Sequence, residues 1–257
     1  MKALAFSLFL LSFSVFAVGT PSCDKGCTFV LMEDSGDIKT IVNVNRARQP
    51  FTPYSTFKIP NTLIALDVGV VRDMEHILSF DKEQYPVQSW WPQIWYKESL
   101  TIRPAFQNSA VPIYQEIANK IGEVRMQEYL NGFEYGNRDI SSGLDTFWLN
   151  GSVQISALQQ VQFLKRLFDG ELPISDATLE TFKQVMRKEQ TEDYTLYAKT
   201  GGGGIAKEKA IGWYVGMVEK KDKSWYFAIN IDGKSFSEVQ KTRIEVANSI
   251  LRETGVL

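Results

Sequence analysis

Hydrophobic and polar positions change period along this chain, and the changes mark its elements. Short runs of β-branched and apolar residues at 28–33 and 38–43 flank Asp34-Ser35-Gly36-Asp37, which supplies turn chemistry, so a β-hairpin is expected. Around 59–68 the spacing shifts to a helix-like face, and a three-to-four period dominates from there to about Arg187. Ile113, Ile117 and Ile121 form one stripe that Gly122 can terminate. Ser156 with Gln159 makes a capping box ahead of Leu158, Val161, Leu164 and Phe168, and Gly170 stops that helix. Ser175 precedes Leu179, Phe182, Val185 and Met186, a further amphipathic helix. Strand patterns return at 194–199, 211–219 and 225–231, with a polar hairpin at 220–223 between the last two. A final helix through Val239, Val246 and Ile250 gives out near Gly255. Strands at both ends with helices between them predict the α+β class: a central antiparallel sheet flanked by helices, with an inserted, mostly helical region.

Composition narrows the function without choosing it. At 257 residues, 44% hydrophobic and 23% charged, the chain can bury a real core in one large domain or two closely packed lobes, which excludes disorder. Its 28 basic residues against 30 acidic ones give no field to attract a phosphate backbone or an anionic membrane, so nucleic acid is not an expected partner. Lys2, the apolar run 3–18 and the small residues Ala17 and Gly19 have the layout of a secretory signal. That run is short for a membrane span. The expected organisation is a signal peptide at 1–19 and a single catalytic domain at 20–257, periplasmic or secreted after cleavage, with no integral membrane segment left. Cys23 and Cys27 could oxidise into a small loop in an exported chain. The rival, acylation of Cys23, follows a poor signal in Thr20, Pro21 and Ser22. Two cysteines and the lone His76 are too few soft ligands for zinc, and no metal is expected.

Candidate chemistry begins at Ser55-Thr56-Phe57-Lys58. A Ser-x-x-Lys element puts both side chains on one helical face, where the amine can reach the hydroxyl. Serine needs a neighbouring base, and lysine can serve once burial lowers its pKa. Ser22-Cys23-Asp24-Lys25 and Ser79-Phe80-Asp81-Lys82 match the same pattern, but only Ser55 heads an apolar helix, through Ile59, Leu63, Ile64 and Leu66. The bland alternative is an N-cap serine with a solvated lysine. Lys199-Thr200-Gly201 closes a strand pattern and occurs once: Lys199 would offer a cation and Thr200 a hydroxyl to a substrate carboxylate, while Gly201 would let substrate approach the backbone. A plain strand end with a turn glycine is the bland alternative for the triplet by itself. Ser109-Ala110-Val111, Tyr135-Gly136-Asn137 and Phe147-Trp148-Leu149 lie between, and each alone reads as common sequence, a turn or core packing.

Their order and spacing together resemble the class D β-lactamases, or oxacillinases, from about Thr28 to the C-terminus, including stretches such as Gly122-Glu123-Val124-Arg125-Met126 that carry no chemistry. The resemblance implies a serine β-lactamase or penicillin-binding transpeptidase-like fold that hydrolyses small-molecule β-lactams and confers antibiotic resistance. It implies Ser55 as the acylated nucleophile and Lys58 as an N-carboxylated base. No cofactor is implied beyond carbon dioxide or bicarbonate to carboxylate Lys58, and an apolar pocket with Phe57, Val111, Trp148 and Leu149 would supply the neutral amine this needs. Trp148 would donate its indole N–H to the carbamate. Ser109 would shuttle a proton to the lactam nitrogen, Lys199 would hold Ser109 and substrate, and Arg243 would pair with the substrate carboxylate. The oxyanion hole would be the backbone N–H groups of Ser55 and Gly202. Tyr135 and Asn137 resemble scaffold.

Gly202-Gly203-Gly204 departs from the family's usual pattern, which places larger side chains after Lys-Thr-Gly, and leaves the substrate range open, with Trp90, Trp91 and Trp95 as candidates for the opposing wall. The glycine run lacks the spacing of a phosphate loop and is expected to be a flexible connection between strands. His76 lacks the surroundings of a catalytic triad and reads as a surface or helix-end residue. Two other functions share these motifs: a β-lactam-sensing domain that stays acylated, normally preceded by several membrane spans, and a cell-wall D-Ala-D-Ala peptidase. A monomer or homodimer is compatible with all of them.

Overall fold

A computed structural model describes Cys23, Asp24 and residues 26–257. The signal segment expected at 1–19, like Ser22, lies outside the described residues. A hairpin of β1 (Cys27–Glu33) and β2 (Ile38–Val42) opens the fold, and Asp34, Ser35 and Asp37 hydrogen-bond within its turn. Cys23 and Cys27 are joined as a disulfide at its edge, the oxidised form of the small loop.

After α1 (Val44–Arg48), a 3-10 turn, Tyr54–Phe57, runs directly into α2 (Lys58–Asp67). The helical insert continues with α3 (Ile102–Gln107), α4 (Val111–Ile121), α5 (Glu123–Phe133), α6 (Phe147–Asn150), α7 (Ala157–Phe168) and α8 (Asp176–Met186). Its predicted punctuation is present. Gly122 takes φ 84° at the end of α4, both halves of the Ser156/Gln159 capping box form, and Ser175 caps α8. The three-to-four period overreaches in one place: between α2 and α3 the chain is irregular apart from a 3-10 turn at Gln93–Tyr96. Pro86 and Pro92 break the pattern, and Asp73 and Asp81 accept backbone N–H bonds from Glu75 and Glu83 that compete with helix.

The chain then returns to the sheet as β3 (Arg187–Gln190), β4 (Thr195–Ala206), β5 (Lys209–Lys220) and β6 (Lys223–Gly233), and ends in α9 (Phe236–Glu253). The order is β2-β1-β6-β5-β4-β3, antiparallel throughout, as the α+β reading requires. β3 has no apolar alternation to betray it and lies at the sheet edge, where charged residues are at home. Gly201–Gly204 is not a connection. These glycines lie inside β4, where Gly202 pairs with Gly212 and Gly203 with Ile211, and the reversal comes only at 207–208. Glycine weakens a strand interior, but paired neighbours and the close approaches described below hold it there.

Side chains alternate between the faces with the period of a strand. Phe29, Leu31, Leu196, Tyr214, Phe227 and Ile229 pack with Val239, Val246 and Leu251 of α9. Val30, Tyr197, Trp213, Val215, Tyr226 and Ala228 pack under the helical insert, the face that carries the candidate chemistry.

Candidate active site

The Ser55 turn is fixed from several sides. Thr56 Oγ1 donates to Pro53 O at 2.8 Å and accepts from Gln160 Nε2 at 3.0 Å, while Trp213 Nε1 donates to Thr52 O at 2.9 Å. Phe57 stacks on Trp148 and meets Phe147 and Tyr135 edge-on. Lys58, the first residue of α2, is 0% exposed. Its amine faces the Ser55 hydroxyl at 3.4 Å and the ring of Tyr114 at 4.7 Å. Burial without a counter-charge pushes this amine down to about 7. A lysine with a substantial neutral fraction near neutral pH can take a proton from a neighbouring hydroxyl. Of the three Ser-x-x-Lys matches, Ser79 sits exposed in the irregular segment.

Lys199 approaches from β4. Its Nζ donates to Ser109 Oγ at 2.6 Å, a contact made across 90 residues, and to the neighbouring Thr200 O at 2.8 Å. Burial, reinforced by the charges of Lys58 and Arg243, lowers its pKa well below the usual lysine range. Ser109 occupies the corner between α3 and α4 at φ 57°, a conformation that few non-glycine residues take.

Ser55, Ser109, Val111, Leu149, Thr200 and Arg243 all line one cleft of ≈740 Å³, with Gly201–Gly204 as one wall. Trp90 and Trp95 line it too; Trp91 instead packs on Trp90, Trp95 and Phe80. Arg243 comes from α9 through the space that Gly202 and Gly212 leave, since a Cβ on them would lie 3.1 Å from Nη1 and 3.2 Å from Cδ. Its Nη1 donates to Gly201 O, its guanidinium lies 5.8 Å over Phe236, and burial brings its pKa down to about 10. Trp148 is fully buried, and its indole Nε1 has no hydrogen-bond partner among the described residues.

The Tyr-Gly-Asn turn is scaffold for this cleft. Asn137 donates to Ser152 O at 2.8 Å and accepts from Gln154 N at 2.9 Å, and Gly136 sits so close to Gln154 that a Cβ would fall 2.1 Å from its carbonyl. His76 accepts from Arg72 N in an irregular segment and not at a helix end, and is not among the residues that line the cleft. No three His, Cys, Asp or Glu side chains converge as a metal-binding group among the described residues.

Residues 26–254 match the family model of the penicillin-binding protein transpeptidase domain. The chain is 44% identical over 215 residues to β-lactamase OXA-48 of Klebsiella pneumoniae, covering 84% of this chain and 78% of that one. The chain belongs to the class D β-lactamase family. A solved class D β-lactamase from Nostoc superposes with a TM-score of 0.82 at 37% identity, covering 90% of this chain and 94% of that one. The regulatory protein BlaR1 of Bacillus licheniformis is 33% identical over 89% of this chain, which spans only 37% of that longer protein. The enzyme thus has a serine β-lactamase, penicillin-binding transpeptidase-like fold. Among its described residues no helix is long and apolar enough to cross a membrane.

Ser55, Ser109, Val111, Leu149, Thr200, Gly201, Gly202 and Arg243 line this cleft, Lys58 and Lys199 reach its two serines from beneath, and Trp148 lies behind Phe57, whereas Trp91 does not line it. The sequence reading leaves out Phe236 and Gln240 on its rim, Gln160 beneath Thr56, and Tyr54 beside Ser55. Adjacency to Ser55 was the one signal available for Tyr54. The others come from helices whose faces the periodicity marks only as buried or exposed.

Proposed function

We propose that this class D enzyme hydrolyses the lactam amide of penicillin-type antibiotics through an ester on Ser55, and so confers resistance to them. The observation that carries the reading is the meeting of two buried amines with two hydroxyls in one cleft: Lys58 with Ser55 at 3.4 Å and Lys199 with Ser109 at 2.6 Å. Ser55 Oγ attacks the carbonyl carbon while its proton passes to the base at Lys58. The C–N bond opens, Ser109 delivers a proton to the leaving nitrogen, and water then cleaves the ester. Backbone N–H groups of Ser55 and Gly202 face the developing oxyanion. Thr200, Gly201 and Arg243 hold the substrate carboxylate, and Lys199 keeps Ser109 oriented.

The site fits N-carboxylation of Lys58 by carbon dioxide. A buried amine near pKa 7 is neutral enough to react, and the unpaired indole N–H of Trp148, with Val111 and Leu149 nearby, is a donor awaiting an anion. When present, a carbamate would supply an anionic oxygen as the base for activating Ser55 and the deacylating water. We further read 1–19 as an export signal and 20–257 as the catalytic domain, placing the enzyme in the periplasm or outside the cell.

Steady-state turnover of benzylpenicillin, with and without bicarbonate, tests the reading together with intact-protein mass spectrometry. Repeated turnover, stimulation by bicarbonate and a transient adduct on the Ser55 peptide are expected. A single adduct that persists without turnover identifies a sensor of the BlaR1 kind instead.

A further inference from the structure

The glycine run after Lys199-Thr200 faces the nucleophile turn. A Cβ on Gly201 would lie 2.7 Å from Pro53 O and 2.8 Å from Thr56 N. At Gly203 the obstacle is a side chain: a Cβ there would meet Cε1, Cδ1 and Cζ of Tyr54 at 2.5, 2.9 and 3.0 Å. The Tyr54 ring therefore lies against β4 where a side chain of the strand would otherwise stand, and its hydroxyl donates to Gly204 O at 3.4 Å. Tyr54 also holds φ 48°, an uncommon conformation for a bulky residue, one position before Ser55. Strain of this kind persists only where the surroundings over-determine it. Here they do. Thr56 fastens to Pro53, and β4 lies close against the turn on the other side.

We propose that Tyr54 is a positioning residue for the acylation reaction, its ring bracing β4 at Gly203 so that the Gly202 N–H and the Ser55 hydroxyl keep a fixed separation. The bulk that a side chain at Gly203 would place beside the strand is supplied here from the nucleophile turn, by the Tyr54 ring. The glycines and the tyrosine then form one device, and neither partner can change size alone. Ser55 and Gly202 approach the substrate carbonyl from two elements that no covalent link shorter than the whole insert joins, so a brace between them controls how well the oxyanion is met. Its loss falls on the rate of the chemical step more than on ground-state binding.

The inference rests on the acyl-enzyme reading above, and a size-swap cycle separates the two. Tyr54→Ala, Tyr54→Phe, Gly203→Val and Tyr54→Ala/Gly203→Val are compared for kcat, KM, acylation rate with a fluorescent penicillin, and Tm. Tyr54→Ala and Gly203→Val should each lower kcat about tenfold or more, with KM within about threefold, as expected for misplaced reacting groups. Tyr54→Phe should retain activity, because the ring and not the 3.4 Å hydroxyl contact does the bracing. The double variant should recover most of the lost kcat. Should Tyr54→Ala fail to fold, Tyr54→Leu with the same partner change serves in its place. Independent losses in the double variant, losses that follow Tm alone, or an effect on KM equal to that on kcat overturn the proposal. Wild-type protein that acylates without turning over would sink the hydrolase reading, while the cycle read on acylation rates still decides the role of Tyr54. A wild type that takes up no penicillin overturns both.

Discussion

Against α9 the sheet buries Phe29, Leu31, Phe227 and Ile229 with Val246 and Leu251, all at or near 0% exposure, whereas its opposite face buries Lys58, Asn61, Gln160 and Lys199 as well as hydrocarbon. One side is held by regular alternation and an amphipathic helix. The other is built from short helices, a 3-10 turn and residues at positive φ, including Tyr54 and Ser109. Burial of an amine without a counter-charge is costly, so the second face gives up stability to keep Lys58 and Lys199 unsolvated, and the apolar face offsets that cost. Reactivity and stability are thereby assigned to opposite sides of one sheet. Arg243 is the exception: it grows from the apolar side and passes through the gap at Gly202 and Gly212 to reach the cleft.

The sharpest way to break this division is to truncate one side chain on each face. Ser55→Ala should lower turnover by about 10⁴-fold or more, leaving Tm near the wild-type value. Phe227→Ala should cost about 3–5 kcal/mol of stability, with kcat per folded molecule unchanged. Urea titration and benzylpenicillin kinetics on the two proteins read both quantities. A Phe227→Ala protein that is stable but slow would show that the faces are coupled.

Lys58→Met comes next, because it should move the two properties in opposite directions. Turnover should fall by about 10²–10⁴-fold, the usual contribution of a positioned base, while Tm at neutral pH should rise. The sign of the second effect follows from linkage. The folded-state pKa of Lys58, about 7, lies below its ordinary 10.5, so between these values the unfolded chain binds more protons and stability rises with pH. The Tm advantage of Lys58→Met should therefore be largest below pH 7 and shrink toward pH 10, measured without bicarbonate. An advantage independent of pH would mean that Lys58 is not held neutral.

A milder probe is pH itself. Below pH 7 the ammonium form of Lys58 grows, and kcat should fall by up to about tenfold per unit as the neutral amine is lost. Bicarbonate should recover part of the loss near pH 7 and little at pH 5, and Trp148→Phe should depend on added bicarbonate more than the wild type does. A flat profile from pH 5 to 8 would remove Lys58 from the role of base.

The same division explains which parts of the molecule the sequence reveals. On the regular side the hairpin turn at Asp34–Asp37, the 220–223 reversal and the stripe Val239–Val246–Ile250 carry their geometry in local residue types, and strand or helix follows. In the insert, Ser156/Gln159, Ser175 and Gly122 mark helix ends equally well. The failures concentrate around the site. Arg187–Gln190 forms a strand only because β4 offers it an edge, the irregular stretch after α2 follows side-chain turns that mimic no period, and Gly201–Gly204 reads as a loop until the Ser55 turn and Arg243 are seen pressing on it. The Ser109–Lys199 contact spans 90 residues and has no local signature. Only resemblance to a family puts that pair together in advance.

The smallest expected effect tests whether α9 is only a cover. Ser235 caps it by accepting from Glu238 N at 3.2 Å, and Ser156 caps α7 on the other face by accepting from Gln159 N at the same distance. Replacing either by alanine removes one partner from an otherwise unsatisfied backbone N–H and should cost about 1 kcal/mol. On a strict division of labour both variants keep their kcat and KM, since neither cap touches the cleft. Arg243, however, lies two turns into α9, and Phe236 in its first turn packs beneath the guanidinium. Fraying that reached Phe236 would loosen Arg243, and KM would rise for Ser235→Ala but not for Ser156→Ala. Equal losses of Tm with unchanged KM in both variants would place the working end of α9 at Arg243 and below, beyond the reach of its cap. A rise in KM of about threefold or more confined to Ser235→Ala would show that the capped first turn, Phe236 included, holds Arg243 in place, and the boundary between the two faces would have to be redrawn there.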